Sequence, residues 1–210
     1  MVADRMYKLL VFHADLPVRM AAATSMHLLL ERNPTFSEFL KPALKQIIEV
    51  YLKLMQEIDS EELVEGLQEF VGHFEAEIPP FAIQLAQELV QAYQRLVEGD
   101  KDDEENDEDA TMAACSVVST LRRIMESVTE NKEILPQLEK IVLPILMHGL
   151  TQDGMEAIDD SLDCIALLLY HGPKEGISAE LWKLFPQLLY VICGDDNDPE
   201  GGYAFEHLAQ

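Results

Sequence analysis

Asp15-Leu16-Pro17-Val18-Arg19-Met20-Ala21-Ala22 reads as the opening of a helix. Asp15 is of a type that accepts hydrogen bonds from the free amides of a first turn, and Pro17 falls where its missing donor costs nothing. Val18, Ala22, Ser25 and Leu29 continue one face of small and apolar residues, and Asn33-Pro34 ends it. An aspartate stands in the same relation to four later helices, at Asp59, Asp109, Asp153 and Asp198, and the successive separations from Asp15 are 44, 50, 44 and 45 residues.

That spacing is a repeat. A period of roughly 40 to 47 residues made of two helices predicts an all-α solenoid of the HEAT or armadillo kind, in which neither helix of a pair buries its apolar face alone and stacking builds one continuous core. The expectation is a single HEAT-repeat solenoid over residues 1–210, of about five helix pairs. The stripe Met6, Leu9, Leu10 and Phe12 starts without a cap, as a truncated element would. Thr35 with Glu38 makes a capping box for a helix to about Met55, and Asp59 with Glu62 repeats it before the stripe Leu63, Leu67, Phe70 and Phe74. Pro79-Pro80 opens a helix through Ile83, Leu85, Leu89 and Leu96, and a later one carries Val117, Leu121, Ile124 and Val128. Residues 132–150 form a helix that Pro144 should kink or divide. Asp153 with Glu156 caps a helix through Ile158, Leu162, Ile165 and Leu169, stopped by Gly172-Pro173. Ser178 opens the segment 181–193 around Trp182, and Asp198-Pro199 leads into a short last segment at 203–208.

The one long interval contains Asp100, Lys101, Asp102, Asp103, Glu104, Glu105, Asn106, Asp107, Glu108 and Asp109. With no apolar residue and close like charges, residues 99–110 should be an extended, solvated loop, an acidic insertion of about six residues in the turn between the helices of the third pair. The chain's net charge is -24, of which the run supplies -7, so most of the acidity belongs to the helices. Such a field repels nucleic acid and anionic lipid and attracts basic proteins in a salt-dependent way. No apolar run reaches the length of a membrane span and no signal peptide opens the chain, which reads as soluble and intracellular. Cys115, Cys164 and Cys193 fall in apolar patterns and read as reduced core thiols.

The stretch Asp15 to Ala22 resembles the second-helix motif of HEAT repeats, with a weaker copy in 153–169. Together with Glu130-Asn131-Lys132-Glu133-Ile134 and Leu181-Trp182-Lys183-Leu184-Phe185-Pro186, it makes most of the chain similar to the central HEAT repeats of the importin-beta (karyopherin-beta) superfamily, most of all the importin seven and eight group and its fungal counterparts. The resemblance implies a nuclear transport receptor, present in cytoplasm and nucleus. Such a receptor carries basic cargo such as ribosomal proteins and histones through the nuclear pore, engages nucleoporins and releases cargo on binding the Ran GTPase.

In HEAT solenoids the second helices line the concave wall. Acids away from the apolar stripes are therefore the candidate partner-binding residues: Glu61, Glu62, Glu65 and Glu69 in the second pair, and Glu156, Asp159, Asp160 and Asp163 in the fourth. Between them lie the acids of the run, which either hold basic cargo or Ran, mimic cargo, or are only solvated. Arg122 and Arg123 are internal partners for the run or exposed salt-bridging groups. Calcium is discounted because Glu105 stands where an EF-hand needs glycine. The scattered histidines read as buried and satisfied by neighbours, and no H-E-x-x-H, phosphate loop or nucleophile elbow is present, so the expectation is no catalysis, no cofactor and no metal. The alternative function is a HEAT scaffold that assembles protein complexes without a transport cycle.

Overall fold

The computed structural model describes the backbone of residues 2–33, 35–58, 60–98, 104–172 and 177–193, and the side chains of these apart from 2–3, 104–109 and 192–193. In chain order the helices are α1 (Val2–Phe12), α2 (Leu16–Thr24), α3 (Met26–Arg32), α4 (Thr35–Leu40), α5 (Leu44–Glu57), α6 (Glu61–His73), α7 (Ala82–Glu98), α8 (Glu104–Ser127), α9 (Leu135–Gly149), α10 (Ile158–His171) and α11 (Phe185–Cys193). Among the described residues there is no strand. They stack in two layers. First helices α1, α5, α7 and α9 each touch the next, and second helices α2 with α3, then α6, α8 and α10, do the same in parallel. One buried apolar cluster runs from Leu10 to Val191 through every pair, the continuous core expected of a HEAT solenoid.

The stripes show why these segments are helices. Leu63, Leu67, Phe70 and Phe74 are all fully buried, with Phe70 5.6 Å from the Tyr51 ring and 4.8 Å from Phe74. Burying a side chain of that size contributes about 1.5–3 kcal/mol, which short helices need because they are marginal alone. Val117, Leu121, Ile124 and Val128 are likewise inside. Gly66 lets α6 approach α2 closely, since a Cβ there would sit 3.3 Å from the Thr24 backbone.

The caps differ from expectation. Asp15 precedes α2 but makes no side-chain cap bond. Ser60 caps α6, accepting from the Leu63 amide at 3.4 Å while its hydroxyl donates to Glu62 at 2.6 Å. Asp59 and Asp198 lie outside the described residues, as do 99–103, Pro173 and the segment 203–208. Asn33, whose side chain accepts from the Thr35 amide at 3.1 Å, takes the role expected of Thr35. Asp153 sits in a 3-10 turn, Gln152–Ala157, and the α-helix begins after it.

The largest correction concerns the acidic run. Helix α8 starts at Glu104, so residues 104–109 are helical and Asp109 is inside the helix. Repulsion between neighbouring acids is offset at a helix start, where carboxylates favour the positive end of the macrodipole.

Other differences follow from packing. The α2 helix breaks at Ser25 and resumes as α3. A 3-10 turn, Lys41–Ala43, separates α4 from α5 at Pro42. Helix α9 runs undivided through Pro144, whose exposed position leaves the carbonyl one turn earlier on the solvent side. Ser161, Cys164, Ile165 and Leu168 of α10 face the core, whereas Leu162 is only partly buried and Leu169 is exposed. Small Ser161 lies against Gly149 of α9, so α10 turns its small residues inward to let the two helices meet. Ser178 accepts from the Leu181 amide at 2.9 Å and opens the last described pair member as expected.

Candidate functional site

Helices α6, α8 and α10 lie side by side in the second layer, with α8 in the middle. Helices α6 and α10 carry their acids off the core stripe. On α6, Glu61 and Glu62 occupy the first turn, where the macrodipole favours them, and Glu65 is exposed one turn on. The Ser60 hydroxyl holds the Glu62 carboxyl below the usual glutamate range. In the fourth pair the 3-10 turn places Glu156 at the surface, and α10 continues with exposed Asp159 and Asp163 and half-buried Asp160.

The acids of the two flanking helices converge on α8. Burial pushes the half-buried Cys115 thiol up, and the charges of Glu156, Asp160 and Glu61 push it further. Tyr93 of α7 lies beneath, its phenol raised to about 12 by burial, Cys115 and Glu156, with its hydroxyl 2.8 Å from His148 Nδ1. Tyr93, Cys115, His148 and Glu156 line a cavity of about 50 Å³ together with Asp153 and Ala157. His148 is thus satisfied by a neighbour, but His27 is not: its Nδ1 is buried without a hydrogen-bond partner among the described residues.

Two arginines on α8 link the acidic faces. Arg122 Nε donates to Asp160 at 2.7 Å and its Nη1 to Glu126 at 2.6 Å, with Asp163 at 3.9 Å. Arg123 reaches Glu69 at 3.4 Å, passing over Gly72, where a Cβ would meet its guanidinium at 2.3 Å. Neither arginine is fully exposed. Consecutive helix positions point about 100° apart, so neighbouring arginines can serve opposite flanks. Only the Arg122–Glu126 spacing was visible in the sequence; the pairs between helices had no local signal.

Glu69, Asp160 and Asp163 thus meet α8 through its two arginines, Glu156 lines the cavity with Cys115, and the charge of Glu61 acts on Cys115. Glu62, Glu65 and Asp159 lie on α6 and α10 without a described contact to α8. Asp100, Asp102 and Asp103 lie outside the described residues, and for Glu104, Glu105, Asp107, Glu108 and Asp109 only the helical backbone is described. Among the described residues no group of histidines, cysteines and acids has metal-holding geometry, and no helix is long and apolar enough to cross a membrane.

The chain is 30% identical over 178 residues to an importin beta-like SAD2 homolog of Arabidopsis thaliana, covering 85% of this chain and 17% of that protein. It is 33% identical over 179 residues to a probable importin-7 homolog of Dictyostelium discoideum, covering 85% of this chain and 16% of the relative. Against Homo sapiens importin-8 it is 25% identical over 189 residues, covering 90% of this chain and 18% of the relative. The chain thus spans about a sixth of the length of the curated relatives it matches. No family model and no solved structure matches it. Continuous two-layer stacking together with identity along most of the chain shows that it belongs to the importin-beta superfamily.

Proposed function

We propose that this chain is the cargo-holding part of a nuclear transport receptor. In this reading the acidic second-helix face formed by α6, α8 and α10 receives lysine- and arginine-rich proteins, of which ribosomal proteins and histones are the expected kinds. The observation that carries the reading is the match of 85% to 90% of the chain to proteins named importins. The contacts of Asp160, Asp163 and Glu69 with the arginines of α8 support the assignment of the face. Each surface ion pair contributes only about 0–1 kcal/mol, so affinity comes from many charges met together. Glu62, Glu65, Glu69, Asp159 and Asp163 extend the face, and the acids at 100, 102–105 and 107–109 enlarge its field from the N-terminal end of α8. Ran control and passage between cytoplasm and nucleus, with nucleoporin contacts, complete the cycle in the longer receptor. Nothing in the cycle calls for catalysis, a cofactor, nucleic acid or membrane.

Retention of purified histones and basic ribosomal proteins by the immobilised chain tests this reading. Binding is expected at about 50 mM salt and should fall steeply as salt rises. The variant Glu65→Gln, Glu156→Gln, Asp159→Asn should lose most of it, and a neutral linker in place of 100–103 should weaken it. Binding unchanged in the triple variant would remove this face from cargo recognition. Salt-insensitive retention of partners without basic segments would favour the scaffold reading.

A further inference from the structure

Between the C-terminal halves of α8 and α10 lies a groove lined by Glu126, Asp163, Ala166, Leu167, Tyr170 and His171. Tyr170 is 85% exposed, the most exposed of the large apolar or aromatic side chains described. At about 100° per residue it shares a stripe with Asp159, Asp163 and Ala166, opposite the buried Ser161, Cys164 and Leu168. Leu162 and Leu169 lie on a different flank, the one turned away from α8, where the stacking direction of the solenoid places a following repeat. Stacking of repeats therefore does not account for the exposure of Tyr170.

Arg122 does not line this groove but engages two of the carboxylates that do, Glu126 and Asp163. Its guanidinium lies between α8 and α10, bonded to Asp160 and Glu126 and 3.9 Å from Asp163. Three carboxylates thus meet one guanidinium, which leaves a surplus of negative charge, and two of the three, Glu126 and Asp163, line the groove together with Tyr170. A planar cation that bonds carboxylates as a fork and stacks on an aromatic face is complementary to that arrangement.

We propose that the groove binds an arginine side chain from a basic segment of a partner protein. Its guanidinium lies against Tyr170 and between Glu126 and Asp163, and its stem lies on Ala166 and Leu167. This rests on the reading that the second-helix face receives basic proteins, and it adds the side chain that the face selects.

The test is fluorescence anisotropy of labelled octa-arginine and octa-lysine with the 210-residue chain, its Tyr170→Ala and Tyr170→Phe variants, and Tyr190→Ala on α11 as the control for an exposed tyrosine elsewhere. Tyr170→Ala should weaken octa-arginine binding about 3- to 10-fold and octa-lysine binding less, whereas Tyr170→Phe and Tyr190→Ala should bind both as the unaltered chain does. The exposure of Tyr170 keeps the fold intact on truncation, and circular dichroism checks this. Octa-arginine bound equally well by Tyr170→Ala, weakened equally for both peptides, or weakened as much by Tyr190→Ala, overturns this proposal alone. An unaltered chain that binds neither peptide overturns the basic-partner reading with it.

Discussion

Arg122 on α8 and Asp160 on α10 lie 2.7 Å apart, and the adjacent Arg123 reaches Glu69 of α6 at 3.4 Å, so two consecutive residues tie the third repeat to the repeats on both sides. The side chains of Arg122 and Asp160 are 25% and 30% exposed, which shields the pair partly from water and salt. A double-mutant cycle of Arg122→Ala and Asp160→Asn in urea unfolding should give a coupling of about 1 kcal/mol that shrinks as salt rises. The longer Arg123–Glu69 pair should give less. Zero coupling for Arg122 and Asp160 at low salt would mean that the contact holds no repeat in place.

Ser60 serves two groups at once, the Leu63 amide and the Glu62 carboxylate. Ser60→Ala should lower stability by about 1 kcal/mol through the lost cap. It should also return the Glu62 pKa towards the ordinary glutamate value. A carboxyl held low stabilises the fold above its unfolded pKa, and that contribution is lost as pH falls through the lowered value. The variant should therefore show a smaller acid-side loss of stability from this residue. Titration of Glu62 by NMR in both forms checks the direction; an unchanged Glu62 would separate the cap from the shift.

Much of the fold was legible because burial in a stacked helix obeys one period. Leu63, Leu67, Phe70 and Phe74, and Val117, Leu121, Ile124 and Val128, were readable from spacing alone and are all in the core. The spacing of Asp15, Asp59, Asp109, Asp153 and Asp198 pointed to stacked helix pairs, which the described residues form, though of the five only Asp15 is observed next to a helix start in the expected place. Caps are local and interchangeable, so Ser60 and Asn33 could take over without altering the period. The start of α8 was misread because charge repulsion was weighed without the helix dipole that opposes it. The stripe of α10 was misread because its inward turn depends on Gly149 across the helix pair, which one helix's sequence does not contain. At the site the acids themselves were readable, but their action on Cys115 and the arginine links are tertiary.

Cys164 is buried and its thiol is pushed up to about 12, by burial first and by Asp160 beside it. Cys115 is half-buried and raised for similar reasons. The thiolate is the reactive form, so both should alkylate more slowly at neutral pH than an exposed cysteine with its usual pKa near 8.5. Site-resolved mass spectrometry after iodoacetamide should find Cys164 unmodified until denaturant is added and Cys115 modified slowly. Rapid native alkylation of Cys164 would place that side chain outside the core.

Tyr51 is fully buried on α5, and its hydroxyl donates to the Ala23 carbonyl of α2 at 2.7 Å, joining the first two repeats through the core. Tyr51→Phe removes the donor and leaves that carbonyl buried, a loss of about 1–3 kcal/mol. Phe70→Ala, which empties the space beside the same ring, should cost more, about 3–5 kcal/mol. Burial also raises the Tyr51 phenol well above the usual tyrosine range, so the folded chain keeps it neutral while the unfolded chain ionises it near pH 10. The contribution is complete below about pH 10 and is lost as pH rises towards the folded-state value. Urea midpoints measured from neutral to strongly alkaline pH should fall less steeply for Tyr51→Phe than for the unaltered chain. Tyr93, raised to about 12 mainly by burial, sustains part of the remaining slope. Identical slopes in the two proteins would assign the alkaline loss to groups other than Tyr51, and would leave its bond to Ala23 as a neutral hydrogen bond with no part in the pH response.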